Sequence, residues 1–201
     1  MGKRISVLNI TTRFGGLDIL RASLERQIFK DFEVVIVDGR WEEREPQVKK
    51  YFKDFDLTYV RQSKKRDGAY SNLAHADNEG FKAATGELIV CVQDFIWCPP
   101  FWLHKFWEAY SAYGDILVGA VGHQYCNPGK EDIVNPRDKI TIFKEDFVGR
   151  PENRCWNDPR MRLDQGTFYE TAPVNWELSN SSIPRKVIYE LGGMDEEYDS
   201  Q

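Results

Sequence analysis

Leu88 to Val92 is an unbroken apolar run, Leu-Ile-Val-Cys-Val, entered through Gly86-Glu87 and left through Gln93-Asp94. Such a run, with β-branched members and a turn signal before it, predicts a strand buried on both faces in the middle of an α/β sheet. Pro99 and Pro100 forbid its continuation. A carboxylate, Asp94, therefore follows the carboxyl end of a central strand, which is where open α/β sheets place their ligands. The plain alternative is that Asp94 starts a turn ahead of a helix opening near Pro100.

The rest of the chain supplies the neighbours such a strand needs. Ile5 to Ile10 predicts a first strand, and Leu17, Leu20, Leu24 and Ile28 fall at helical spacing after it. Phe32 to Val37 is a second apolar run ending in Asp38-Gly39. A helix is expected from Pro46 to Asp54, with Val48, Tyr51 and Phe52 on one face. Leu57 to Val60 predicts a third strand, followed by a basic loop at Lys64-Lys65-Arg66 and a helix from Ser71 to Ala84. An aromatic helix is expected from Pro100 to Tyr113, with Trp102 and Phe106 sharing its core face. Alternating strands and helices imply a mostly parallel sheet covered by helices on both sides.

The rhythm breaks after Ile116 to Val121. Residues 123–173 are rich in Pro, Gly, Asn, Asp and Arg, and only Ile140 to Phe143 reads as a strand. A long irregular region inside a compact domain points to a functional loop or lid. Ser179 to Ile183 restores the strand pattern, a helix opens at Pro184, and Leu191-Gly192-Gly193 closes it. No repeat and no linker divides the chain.

Composition excludes several classes. The net charge is −5, which argues against a general nucleic-acid binder. No apolar run approaches the roughly 20 residues of a membrane span. Cys91, Cys98, Cys126 and Cys155 form no Cys-x-x-Cys pair, and His75, His104 and His123 complete no zinc spacing. Reduced thiols and a cytoplasmic location are the expectation.

The order of motifs resembles the inverting glycosyltransferases of family 2. The resemblance rests on Ser6-Val7 with Thr11 to Arg13, on Asp31 to Asp38, and on Asn78 to Glu87 leading into the central strand. Pro100 with Leu103, Ser179-Asn180-Ser181 and Leu191 to Glu197 complete it. It covers nearly the whole chain and implies a GT-A fold, here a mostly parallel nucleotide-binding sheet flanked by helices with an irregular acceptor-side region. Residues 1–122 would form the nucleotide-sugar-binding half. Residues 123–201 would form the acceptor-side half, incomplete at its C-terminal end.

Several site residues follow from the resemblance. Asp38 would accept a hydrogen bond from the nucleotide base, Thr11 and Arg13 would line the same cleft, and Asn78 would lie on the helix beneath the nucleotide. Asp94 would hold a divalent cation, manganese or magnesium, against the diphosphate. Three positions depart from the family pattern. Gln93 and Phe95 stand where the family carries its two aspartates, leaving Asp94 alone between them. Asp77 stands where an arginine often faces the diphosphate, so Lys64, Lys65 or Arg66 would take over that charge. The Glu-Asp pair that carries the general base would follow Gln201, which leaves Glu177, Asp195 and Glu196 as candidates.

Each residue also has a plainer reading: a turn aspartate for Asp38, a surface cation for Arg13, a packing position for Gly80. Among the aromatics, Trp156 and Trp176 are the better candidates for stacking on a sugar ring. The implied activity is transfer of a sugar from a nucleotide-diphosphate donor to a hydroxyl of a saccharide or other acceptor, with inversion. A catalytically silent nucleotide-sugar-binding relative is one rival, and a nucleotidyltransferase is another. The segment after the first strand, Thr11 to Gly16, matches neither the Gly-rich loop of nucleotidyltransferases nor that of dehydrogenases.

Overall fold

The structure is a computed structural model. It describes residues 3–12, 16–63, 73–93, 96–115, 118–121, 124–125, 162–163, 167–170 and 180–197. In chain order the elements begin β1 (Ile5–Thr11), α1 (Leu17–Glu25), β2 (Phe32–Asp38), α2 (Trp41–Tyr51), β3 (Leu57–Arg61) and α3 (Leu73–Ala83). Next come β4 (Leu88–Val92), β5 (Ile96–Trp97), α4 (Trp102–Tyr113), β6 (Val118–Val121) and β7 (Gln124–Tyr125). β8 (Arg162–Leu163), β9 (Thr167–Glu170), β10 (Asn180–Pro184) and α5 (Arg185–Leu191) complete the series.

Seven strands form one sheet in the order β3-β2-β1-β4-β10-β6-β9. The first three neighbouring pairs are parallel and the last three antiparallel. Five of the seven strands, β1 to β4 and β6, therefore point the same way, with β10 and β9 reversed. β5, β8 and β7 make a separate three-stranded sheet. The mostly parallel, helix-flanked sheet expected from the sequence is present. No helix among the described residues is long and apolar enough to cross a membrane.

Strand alternation sorts the core into two layers. Val34 and Ile36 of β2 join Val7, Val90 and the faces of α1, α2 and α4. Val35 and Val37 join Leu8, Ile89 and Cys91 beneath α3 and α5. Trp102 and Phe106 are both fully buried in the first layer, as their spacing predicts. Gly80 sits where α3 crosses β1: a Cβ there would lie 2.5 Å from Leu8 Cδ1, so its plain packing reading fits the local geometry.

At the amino ends of the strands a buried carboxylate acts as a knot. Glu33 Oε1 accepts from Ser6 Oγ (2.5 Å), Thr85 N (2.6 Å) and Thr85 Oγ1 (3.0 Å), while Gly86 N donates to Ser6 Oγ (2.8 Å). This ties β1, β2 and the entry to β4 together, so their far ends emerge in a fixed relation.

Four local expectations change. α2 begins at Trp41 rather than Pro46, and the proline lies inside it. Pro46 gives up one helical hydrogen bond, but buried Arg44, Val48 and Tyr51 hold the helix to the sheet on either side of it. α1 stops at Glu25, and Ile28 is 61% exposed instead of core. Pro184 ends β10, and the helix after it starts at Arg185. Within the irregular region, Thr167–Glu170 forms a strand against β6; Ile140 to Phe143 lie outside the described residues.

Candidate functional site at the carboxyl ends of the strands

Register places three residues in a row at one edge of the sheet: Thr11 opposite Asp38, and Asp38 opposite Arg61. Gly39 N donates to Thr11 O at 2.9 Å and Gln62 N to Asp38 O at 3.2 Å, extending each pairing one step past the strand. On the other side of β1, Asn9 Nδ2 donates to Val92 O at 2.9 Å and fastens the last residue of β4. Gln93 follows, exposed. Asp94 and Arg13 lie outside the described residues, as do Lys64, Lys65, Arg66, Trp156, Trp176 and Glu177.

Asp38 is fully buried, and four donors converge on it. Oδ1 accepts from Arg40 N (2.7 Å) and Arg44 Nη2 (2.8 Å); Oδ2 accepts from Arg44 Nε (2.6 Å) and Tyr59 Oη (2.5 Å). The two arginine contacts make a bidentate pair, the geometry in which a guanidinium binds a carboxylate most strongly. Arg44 is itself 1% exposed, and its Nη2 also lies 3.5 Å from Thr11 Oγ1. Burial, and then the Asp38 hydrogen bond and charge, push the Tyr59 phenol well above its ordinary value, against an opposing pull from Arg44. Tyr59 stacks on Trp41 (6.5 Å between centroids, 19° between planes), and Arg61 sits 5.9 Å over the Trp41 ring.

A model of glycosyl transferase family 2 matches residues 16–177. The chain belongs to glycosyl transferase family 2. No curated protein matches it. Among solved structures it is similar to GalNAc-T7 with UDP, GalNAc and Mn2+, at 12% identity and a TM-score of 0.58, over 96% of this chain and 37% of that one. It is also similar to TarS 1–349 of S. aureus, at 19% identity and a TM-score of 0.48, over 57% and 34% of the two chains. Glucosyl-3-phosphoglycerate synthase from Mycobacterium tuberculosis, in complex with phosphoglyceric acid, matches at 11% identity and a TM-score of 0.48, over 93% and 58%. The chain thus spans between 34% and 58% of the length of these three structures.

Asn78 and Glu196 meet in a second cluster, apart from the Asp38 network. Asn78 Nδ2 donates to Met194 O (2.9 Å) and Glu196 Oε1 (3.0 Å), and Asn78 Oδ1 accepts from Met194 N (2.7 Å). Glu196 Oε2 lies 2.8 Å from His75 Nδ1, and His75 Nε2 lies 3.0 Å from Ser63 Oγ, just past the end of β3. Asp195 is exposed, and its carboxylate accepts from Glu197 N at 2.9 Å. Asp77, 1% exposed, acts electrostatically on Cys91 of β4, whose thiol burial pushes well above its usual range. It is buried against the sheet, not presented to solvent.

Among the described residues no group of three or more His, Cys, Asp or Glu side chains could hold a metal ion. Asp94, the carboxylate expected to hold a cation, is not among those residues. Arg44, Tyr59, Trp41 and His75 were not singled out by sequence reasoning. Arg44 lies six residues after Asp38, and the signal that finds it is the acidic pair Glu42-Glu43, which marks a helix start at Trp41.

Proposed function

We propose that this family-2 domain binds the nucleotide diphosphate of a sugar donor across the carboxyl ends of β1, β2 and β4. The sugar then passes, with inversion, to a hydroxyl of a saccharide or other acceptor. The observation that carries this reading is the flush row of Thr11, Asp38 and Arg61 at the edge into which the central strand also opens. Parallel α/β sheets bind ligands at that edge.

In this reading Thr11, itself buried, backs the cleft that Arg13 lines, with Lys64, Lys65 or Arg66 adding positive charge. Asp38 shapes the base end, and Asn78 supports the helix below. Asp94 would hold manganese or magnesium, which when bound neutralises charge on the departing diphosphate. Asp195 and Glu196 are engaged in local hydrogen bonds. Glu177 is therefore the first carboxylate to test as the base that deprotonates the acceptor. The buried free thiols of Cys91 and Cys98 suit a reducing, cytoplasmic setting.

A silent nucleotide-sugar-binding relative is the second reading, favoured by Gln93 and Phe95 flanking a lone Asp94. Calorimetric titration of nucleoside diphosphates with and without manganese tests the site. Binding that strengthens with metal in the parent and loses that gain in Asp94→Asn supports the transferase reading. Binding indifferent to metal, with no turnover on any acceptor, favours the silent relative. Absence of binding by any nucleoside diphosphate removes both.

A further inference from the structure

We infer that Asp38 serves the nucleotide site as a positioning carboxylate for Arg44 rather than as the acceptor of a base N–H, so the base is not selected through it. The inference rests on the reading that a nucleoside diphosphate binds at this edge, and it narrows what that site recognises.

The first reason is capacity. A carboxylate offers about four lone-pair directions, and Asp38 has four donors on them: Arg40 N, both Arg44 contacts and Tyr59 Oη. The second is access. Asp38 is 0% and Arg44 1% exposed, so a base edge meets the backbone and rings around the pair before it meets the carboxylate. The third is strength. A base N–H brings one neutral donor, whereas Arg44 brings two charge-assisted ones in parallel, roughly twice as strong each. Removing either partner from such a buried pair strands a charge away from water.

What the pair fixes is the surrounding wall. Arg44 anchors the start of α2 to the ends of β1 and β2 through Asp38 and Thr11. The first residue of that helix is the half-buried Trp41, aligned with Tyr59, which itself bonds to Asp38. The wall at the base end is thus aromatic. Ring faces recognise any nucleobase, because every base has a π-face; reading one base over another needs an accessible edge partner.

The test compares UDP and GDP, which carry a ring N–H, with CDP and ADP, which lack it. Titrations are run on the parent, on Asp38→Asn and on the double variant Asp38→Asn/Arg44→Gln. The double variant removes both charges together and keeps a readable protein where the single one fails to fold. A buried acceptor reading that N–H would reject its absence by roughly 10⁴-fold. Expected instead is a UDP-to-CDP affinity ratio below about a hundredfold in the parent, retained within about threefold in whichever variant folds. A ratio above a hundredfold that collapses in either variant gives Asp38 the base and overturns the inference. Any other departure from that pattern, a parent ratio above a hundredfold or a shift beyond threefold in a folded variant, also overturns the inference and leaves the donor site standing. A parent that binds none of the four nucleotides takes down the site and the inference together.

Discussion

Asn78 and Met194 are 116 positions apart in the chain and meet through two opposed hydrogen bonds, Asn78 Nδ2 to Met194 O at 2.9 Å and Met194 N to Asn78 Oδ1 at 2.7 Å. The side-chain amide thus pairs with a backbone unit as a strand would, and it fastens the segment after α5 onto α3. Each such bond contributes about 1 kcal/mol net. Asn78→Ala is expected to lower stability by about 2 kcal/mol, read as a shift of the urea midpoint. Asn78→Asp should cost more, because a carboxylate would face Met194 O and Glu196. Equal losses in the two variants would contradict this account.

Gly193 faces the same amide from the other side. Its φ is 91°, and a Cβ there would lie 2.5 Å from Asn78 Oδ1. Gly193→Ala therefore combines left-handed backbone strain with a clash, together about 1–3 kcal/mol. The same substitution in an Asn78→Ala background should cost less, since the clashing atom is gone. A double-mutant cycle in urea measures the difference.

Arg44→Ala leaves Asp38 as an uncompensated buried charge, and Asp38→Ala does the same to Arg44. Each is expected to lose about 3–5 kcal/mol. The double variant should lose clearly less than the sum, because neither orphan remains. Strict additivity would show that the two do not act as a pair.

The pH dependence follows from Tyr59. Its folded-state pKa lies above the ordinary tyrosine value, so the folded protein holds that proton more tightly than the unfolded chain. The stability this contributes is fully present below about pH 10 and is lost as pH rises from there toward the folded value. Between about pH 8 and pH 11 the parent should lose more stability than Tyr59→Phe. The variant itself is expected to start about 1 kcal/mol lower, for want of the bond to Asp38. Tyr110, also raised, is common to both proteins and drops out of the comparison.

The sheet was legible wherever the signal is local. Leu88 to Val92 is apolar because both faces of β4 are covered, and the strand has the bounds the run predicts. The ends of helices were harder. Ile28 continues the spacing of α1, yet the chain leaves the helix because buried Gln27 is held by tertiary partners: its Nε2 donates to Pro99 O (2.9 Å) and its Oε1 accepts from Leu103 N (3.0 Å). Pro46 looks like a first-turn proline, yet the acidic pair Glu42-Glu43 marks an earlier start and Arg44 under Asp38 holds it there. At the candidate site, the resemblance singled out Asp38, which ends a strand. Its partners were not singled out, because a strand-end aspartate reads the same whether it faces a ligand or an arginine.

The strand that completes the sheet is made late. β10 pairs Asn180 with Val92 and Ser181 with Gly119, so it fills the slot between β4 and β6. Such distant pairings raise contact order and slow folding. During synthesis, β4 exists for nearly ninety residues before that partner is translated. Over that interval one of the most apolar strands in the molecule has an unpaired edge, the kind of surface on which nascent chains mispair. The same arrangement that centres β4 in the finished protein therefore leaves it with an open apolar edge until residue 180 appears.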